Sequence, residues 1–145
     1  MSKKMDKKEA QAILLAHYKS PTGLGDLHEH HTVSKGINPL CGDEIRVGVT
    51  VDNNTITDIA FQARACSICI ASASIMSQLL VNKKTTDIEP YYQQLTTLLK
   101  QATPEGDIEN TIDERLKPLG SIHTMTSRHK CAQLSWEALR DACIT

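Results

Sequence analysis

The stretch Ile45 to Val81, IRVGVTVDNNTITDIAFQARACSICIASASIMSQLLV, changes its apolar period halfway along, and that change decides the fold. Ile45, Val47, Val49 and Val51 alternate with Arg46, Gly48 and Thr50. After the turn signal Asp52-Asn53-Asn54 a second alternation runs through Ile59, Phe61 and Ala63. Period two on both sides of a turn predicts a β-hairpin with one buried face. From Ser67 the spacing becomes helical through Ile68, Ala71, Ile75 and Leu79, and Ser67 is a residue type suited to cap the first turn. A strand therefore hands over to a helix at Cys66.

Upstream of the hairpin, Met5 to Lys19 carries Ala10, Ile13, Leu14 and Tyr18 at near-helical spacing, and Pro21, Gly23 and Gly25 stop it. Thr22 to Gly36 has no periodicity and reads as a surface loop, and Asn38-Pro39 introduces a turn. Downstream, a helix is expected over Asp87 to Lys100. A short helical piece follows over Asp107 to Leu116, before Pro118-Leu119-Gly120. The last helix, Ser127 to Ala142, places Cys131, Leu134, Ser135, Ala138 and Ala142 on one stripe. This order of elements predicts an α+β fold, a small antiparallel β-sheet covered by helices. A length of 145 residues suits one domain over 1–145.

Composition narrows the chemistry. A net charge of −1 supplies no basic field for phosphates, so no nucleic acid is expected as a partner. The start of the chain is charged, and the apolar run Ala12 to Ala16 is too short for a signal core or a membrane span. A cytoplasmic protein with no membrane partner is expected. In a reducing compartment, five cysteines are better suited to thiolate ligation or nucleophilic work than to crosslinks. Aromatic residues are only 3% of the chain, so the core must be largely aliphatic.

In Cys41-Gly42-Asp43 two potential ligands stand either side of a glycine, which can fold both side chains toward one point just before a strand. Cys66 lies at the strand-to-helix junction and Cys131 in the first turn of the last helix, where unpaired N–H groups favour a thiolate. If these ends meet, three thiolates and a carboxylate make a tetrahedral site suited to zinc or iron. The residues alone leave open the other reading, that each cysteine is a small buried apolar side chain.

Three blocks in order, Asn38-Pro39-Leu40-Cys41-Gly42-Asp43, Ala65-Cys66-Ser67-Ile68-Cys69-Ile70-Ala71-Ser72-Ala73-Ser74 and Arg128-His129-Lys130-Cys131-Ala132-Gln133-Leu134-Ser135-Trp136, resemble the IscU/SufU family of iron–sulfur cluster assembly proteins. His17-Tyr18-Lys19 followed by Pro21 is similar to the end of the family's N-terminal helix. Lys130 stands where IscU-type scaffolds carry a histidine ligand beside the third cysteine. The long interval from Cys66 to Cys131, Arg128 three residues before Cys131, and the missing Leu-Pro-Pro-Val-Lys motif all resemble the SufU branch.

That resemblance implies zinc held by Cys41, Asp43, Cys66 and Cys131. It also implies a persulfide relay in which Cys41 accepts sulfur from a pyridoxal-phosphate cysteine desulfurase of the SufS kind and passes it to a downstream cluster-assembly scaffold. Arg128 would stabilise thiolate or persulfide charge, or else be a solvated cap. Two other functions share these residues: a scaffold that builds and transfers a [2Fe–2S] cluster, with iron in place of zinc, and a zinc module that regulates the desulfurase without carrying sulfur. Cys66-x-x-Cys69 has redox-dithiol spacing but no second pair beside it, and Cys69 departs from the small residue usual in the family. His28, His30 and His31 read as a solvated loop rather than a metal site, His129 ranks below Asp43 as a ligand, and Cys143 reads as incidental.

Overall fold

The computed structural model describes residues 6–101 and 111–144. Helix α1 spans Lys7–Lys19. Strands β1 (Thr32–Asn38), β2 (Asp43–Asp52) and β3 (Thr55–Arg64) follow, then α2 (Ser67–Leu80), a 3-10 turn (Thr85–Asp87) and α3 (Ile88–Lys100). Two further 3-10 turns, Lys117–Ile122 and Thr126–Arg128, lead into α4 (His129–Ile144). Met5 and Asp107 to Asn110 lie outside the described residues.

The hairpin forms as its alternation predicts, from Glu44 opposite Arg64 to Asp52 opposite Thr55. Asn53 and Asn54 both take positive φ, 52° and 64°, the pair of left-handed residues a tight hairpin turn needs. Ile45, Val47, Val49, Ile59 and Phe61 are buried on the inner face, but Val51 is exposed, because the register shifts between Thr50 and Val51. The sheet is three-stranded and antiparallel, in the order β1-β2-β3.

The expectation of a loop through Gly36 is corrected here. Thr32 to Asn38 is an edge strand whose partners run from Val49 to Asp43. Its exposed polar residues and Gly36 hid the period. Gly36 allows α4 to come close, since a Cβ there would sit 3.0 Å from Leu134 Cγ. Part of the remaining loop covers the other edge of the sheet: Phe61 N donates to Gly23 O at 2.8 Å and Gly25 N donates to Phe61 O at 3.1 Å.

Helix α4 crosses β1 and β2, α2 packs on α4, and α1 packs on α2. Cys131, Leu134, Ser135, Ala138 and Ala142 are all buried, as the stripe predicts. Helix α2 is buried nearly all round, and its Ala71–Ser74 run permits close contact. Ser72 Oγ donates to Ala132 O at 2.6 Å and accepts from Trp136 Nε1 at 3.1 Å, which satisfies the indole inside an aliphatic core. Ser67 is not the cap of α2. Cys66 holds that position without a side-chain bond, and the function of a cap passes to a residue from another strand.

Candidate metal centre

One end of the sheet gathers the candidate ligands. Asn38 closes β1 opposite Asp43, which opens β2, and the four residues between them carry Cys41 around the corner. Cys41 N donates to Asn38 O at 3.3 Å, and Gly42 has φ +70°, a left-handed conformation that a glycine adopts without strain. Leu40, at the tip of the turn, is 94% exposed.

Asp43 is 1% exposed. Its Oδ1 accepts the Cys66 amide hydrogen at 2.9 Å, so a carboxylate from β2 satisfies the first turn of α2. Its Oδ2 lies 4.0 Å from Cys66 Sγ. Ligand atoms of Cys41, Asp43 and Cys131 all lie within 4.8 Å of one another. In a tetrahedral site with metal–sulfur bonds of roughly 2.3 Å, ligand atoms stand roughly 3.8 Å apart. The three are thus close to liganding separation, and Cys66 adjoins them through the aspartate. Thiolates with one carboxylate suit zinc or iron and would be a poor cage for a hard cation such as magnesium.

The charges are not as permissive as helix position alone suggests. Cys131 does sit in the first turn of α4, but burial pushes its thiol up, and hydrogen bonds with Asp43 and Cys41 push it further. Easy ionisation of Cys131 is therefore corrected: without a cation the burial of the sulfur outweighs the helix terminus. Two donors oppose that cost. Buried Asn38 donates from Nδ2 to Cys131 Sγ at 3.6 Å. The Arg128 guanidinium is held still more firmly in its charged form, first by the Cys66 sulfur and then by hydrogen bonds with Cys131 and Cys66. Arg128 thus has the Cys66 and Cys131 sulfurs as neighbours.

Other candidates fall outside this group. Cys69 is fully buried, and burial with the nearby Asp43 and Cys66 charges raises its thiol to about 12, so it is an apolar core residue. His129 Nε2 lies 2.9 Å from His123 O, which engages it elsewhere. Cys143, near the end of α4, is half-buried and its thiol is pushed up by burial. His28, His30 and His31 lie at the opposite end of the sheet. Sequence reasoning gave Asn38 no role in the site, although it opens the Asn38-Pro39-Leu40-Cys41-Gly42-Asp43 block and precedes the turn at Pro39.

An antiparallel sheet backed by helices defines the class, a small α+β protein, here with three sulfurs and an aspartate collected at one end. A family model described as the NifU-like N terminal domain matches residues 9–144. The chain belongs to this family, the IscU/SufU group of iron–sulfur cluster assembly proteins. It is 33% identical over 128 residues to the zinc-dependent sulfurtransferase SufU of Bacillus subtilis (strain 168), covering 88% of this chain and 84% of that one. It is 29% identical over 131 residues to the iron-sulfur cluster assembly scaffold protein IscU of Streptococcus pyogenes serotype M1, covering 90% and 80%. The fold matches the crystal structure of FiSufU from Fervidobacterium islandicum AW-1 with a TM-score of 0.78 at 23% identity, over 89% of this chain and 92% of that one. Among the described residues no helix is long and apolar enough to cross a membrane.

Proposed function

We propose that the chain is a zinc-dependent sulfur acceptor in iron–sulfur cluster assembly, with Cys41 as the sulfur carrier. The observation that carries this reading is how the ligands are held: Asp43 and Cys131 are buried and half-buried Cys66 is tied by its amide to Asp43 at the start of α2, whereas Cys41 sits part-exposed on a turn between exposed Leu40 and Gly42. One ligand can leave the group by rotating a short turn while the others stay fixed in strand and helix. The name of the Bacillus subtilis relative supports the same reading.

Cys41, Asp43, Cys66 and Cys131 would hold the ion, which when bound supplies positive charge that favours thiolates over thiols. The chain's own residues do the rest. The Cys41 thiolate attacks the terminal sulfur of a persulfide on a pyridoxal-phosphate cysteine desulfurase. A new S–S bond forms at Cys41, the donor's S–S bond breaks, and the electron pair leaves with the desulfurase thiolate. Arg128 faces Cys66 and Cys131 and offsets the negative charge that gathers at the turn. The Cys41 persulfide then passes to a downstream cluster-assembly scaffold.

The test is mass spectrometry of the protein after incubation with a cysteine desulfurase and cysteine. The mass of one added sulfur on the Cys41 peptide, absent from a Cys41→Ala variant that still binds the desulfurase, supports the proposal. Equal stimulation of the desulfurase by both proteins, without added sulfur on either, supports a regulatory zinc module instead. The IscU relative favours a second reading, a [2Fe–2S] scaffold on the same cysteines. Iron with acid-labile sulfide in protein purified without oxygen, and no zinc, is the result that selects it.

A further inference from the structure

At the end of the sheet away from the cysteines, His28, His30 and His31 form one stack of imidazoles over Asp58 of β3. Ring centroids are 5.5 Å apart for His28 and His30, and 4.2 Å for His30 and His31. His30 Nε2 lies 3.7 Å and His31 Nε2 2.6 Å from the same oxygen, Asp58 Oδ2. Ligand atoms of His30, His31 and Asp58 lie within 4.8 Å of one another. We propose that exposed His30 and Asp58 bind a borderline divalent transition ion, completed by the neighbouring exposed His28 once its ring turns toward them, with buried His31 setting the aspartate in place.

The division of labour follows from hydrogen positions. His28 N donates its amide hydrogen to His31 Nδ1 at 2.9 Å, so that ring nitrogen is an acceptor and carries no proton. The ring's proton therefore sits on Nε2 and is donated to Asp58 Oδ2. The His31 side chain is only 1% exposed, and its ring packs against Gly48, where a Cβ would lie 3.1 Å from His31 Cγ. A histidine tied at both nitrogens in a closed pocket is not free to coordinate. It acts on the site by orienting a carboxylate, the outer-shell arrangement common around metal ions.

The remaining donors are accessible. His30 and Asp58 side chains are about half exposed, and His28 lies on the same exposed turn. Two imidazoles and one carboxylate suit ions such as zinc, nickel or ferrous iron, and contain no thiolate. The site is separate from the cysteine centre: β1 carries seven residues from Thr32, next to His31, to Asn38, which touches Cys131. At about 3.3 Å per residue this is roughly 20 Å. The proposal does not depend on which metal the cysteines hold.

Zinc alone is the probe, titrated into the full chain and followed by long-range proton–nitrogen spectra of the imidazoles, which report each histidine whatever the state of the cysteines. The expected result is a saturable shift of the His28 and His30 ring nitrogens with the His31 Nε2 proton retained. Affinity at this site should fall at least about tenfold in His30→Ala and in Asp58→Asn. Because Asp58→Asn also weakens the hold on buried His31, exposed His30→Ala is the deciding variant, and its melting curve should match the parent. No zinc-dependent shift of His28 or His30, a shift that persists unchanged in His30→Ala, or loss of the His31 Nε2 proton on zinc binding would each overturn the proposal.

Discussion

The Asp43 carboxylate accepts the Cys66 amide hydrogen at 2.9 Å, and so joins the start of β2 to the start of α2 across a separation of 23 residues. One side chain thereby does two things: Oδ1 completes the helix terminus, while Oδ2 faces Cys66 Sγ and stands among the candidate ligands. The two roles separate by substitution. Asp43→Asn keeps an oxygen for the amide but loses the charge; Asp43→Ala loses both. In metal-free protein Asp43→Ala should cost about 1 kcal/mol, a drop of roughly 3–5 °C in melting temperature, with Asp43→Asn close to the parent. Both should bind zinc at least about tenfold more weakly in chelator competition. Equal melting of the two metal-free variants would show that the capping bond contributes nothing.

Asn38 Nδ2 points at Cys131 Sγ from a fully enclosed position. A donor to a buried sulfur makes the ionised form less costly, so Asn38→Ala should weaken zinc by about 10- to 100-fold. Asn38→Asp tests whether the donor matters rather than the volume. The side chain keeps its size but presents oxygens to a sulfur, and should bind zinc more weakly still than Asn38→Ala. Tighter binding by Asn38→Asp than by Asn38→Ala would assign Asn38 to packing alone.

The hairpin and α2 were legible because an apolar period of two and then a helical one run clearly on either side of Cys66, and because Asn53-Asn54 marks the turn between the strands. Strand β1 was not. Its inward positions include Ser34, Gly36 and Asn38, so the alternation carries almost no apolar signal, and only its register against β2 reveals it. The same holds for the site. Cys41 and Asp43 are neighbours in sequence, and the family blocks pointed to Cys66 and Cys131. The Asn38 and His31 contacts are tertiary, spanning 93 and 27 residues, and no local pattern announces them. Burial also reversed one local inference, since the first turn of α4 alone suggested an easily ionised Cys131.

Metal binding should contribute visibly to stability, because the sulfurs converge only in the folded chain and the unfolded chain offers no preformed site. At free zinc one hundredfold above its dissociation constant, linkage gives about 2.7 kcal/mol, or roughly 8–10 °C in melting temperature for a chain of this size. Chelation followed by calorimetry checks this. An unchanged melting curve after verified removal of the ion would place the centre outside the cooperative fold.

Ser72 joins the two central helices by giving its hydroxyl hydrogen to Ala132 O and receiving the indole hydrogen of Trp136. Ser72→Ala leaves a buried N–H and a buried carbonyl without that partner, at about 1–3 kcal/mol. Its urea midpoint should fall with no change in slope, and zinc affinity should be unaffected, because Trp136 lies a full helical turn beyond Cys131. A Ser72→Ala variant as stable as the parent would mean that other groups take over both bonds.

His17, at the end of α1, lies 2.7 Å through Nδ1 from Ser74 Oγ, and burial lowers its pKa below the ordinary histidine value. The folded protein therefore takes up this proton less readily than the unfolded chain. Above about pH 6.5 both states leave His17 neutral and stability is unaffected by it. As pH falls below that value the unfolded chain binds the proton first, so stability is lost until the folded-state pKa is passed. The urea midpoint should accordingly drop between pH 7.5 and pH 5.5. In His17→Gln, which keeps polar contact with Ser74 but cannot titrate, the drop should be smaller. If the two proteins lose stability equally over that range, the titrating group lies elsewhere and α1 is not docked through an uncharged His17.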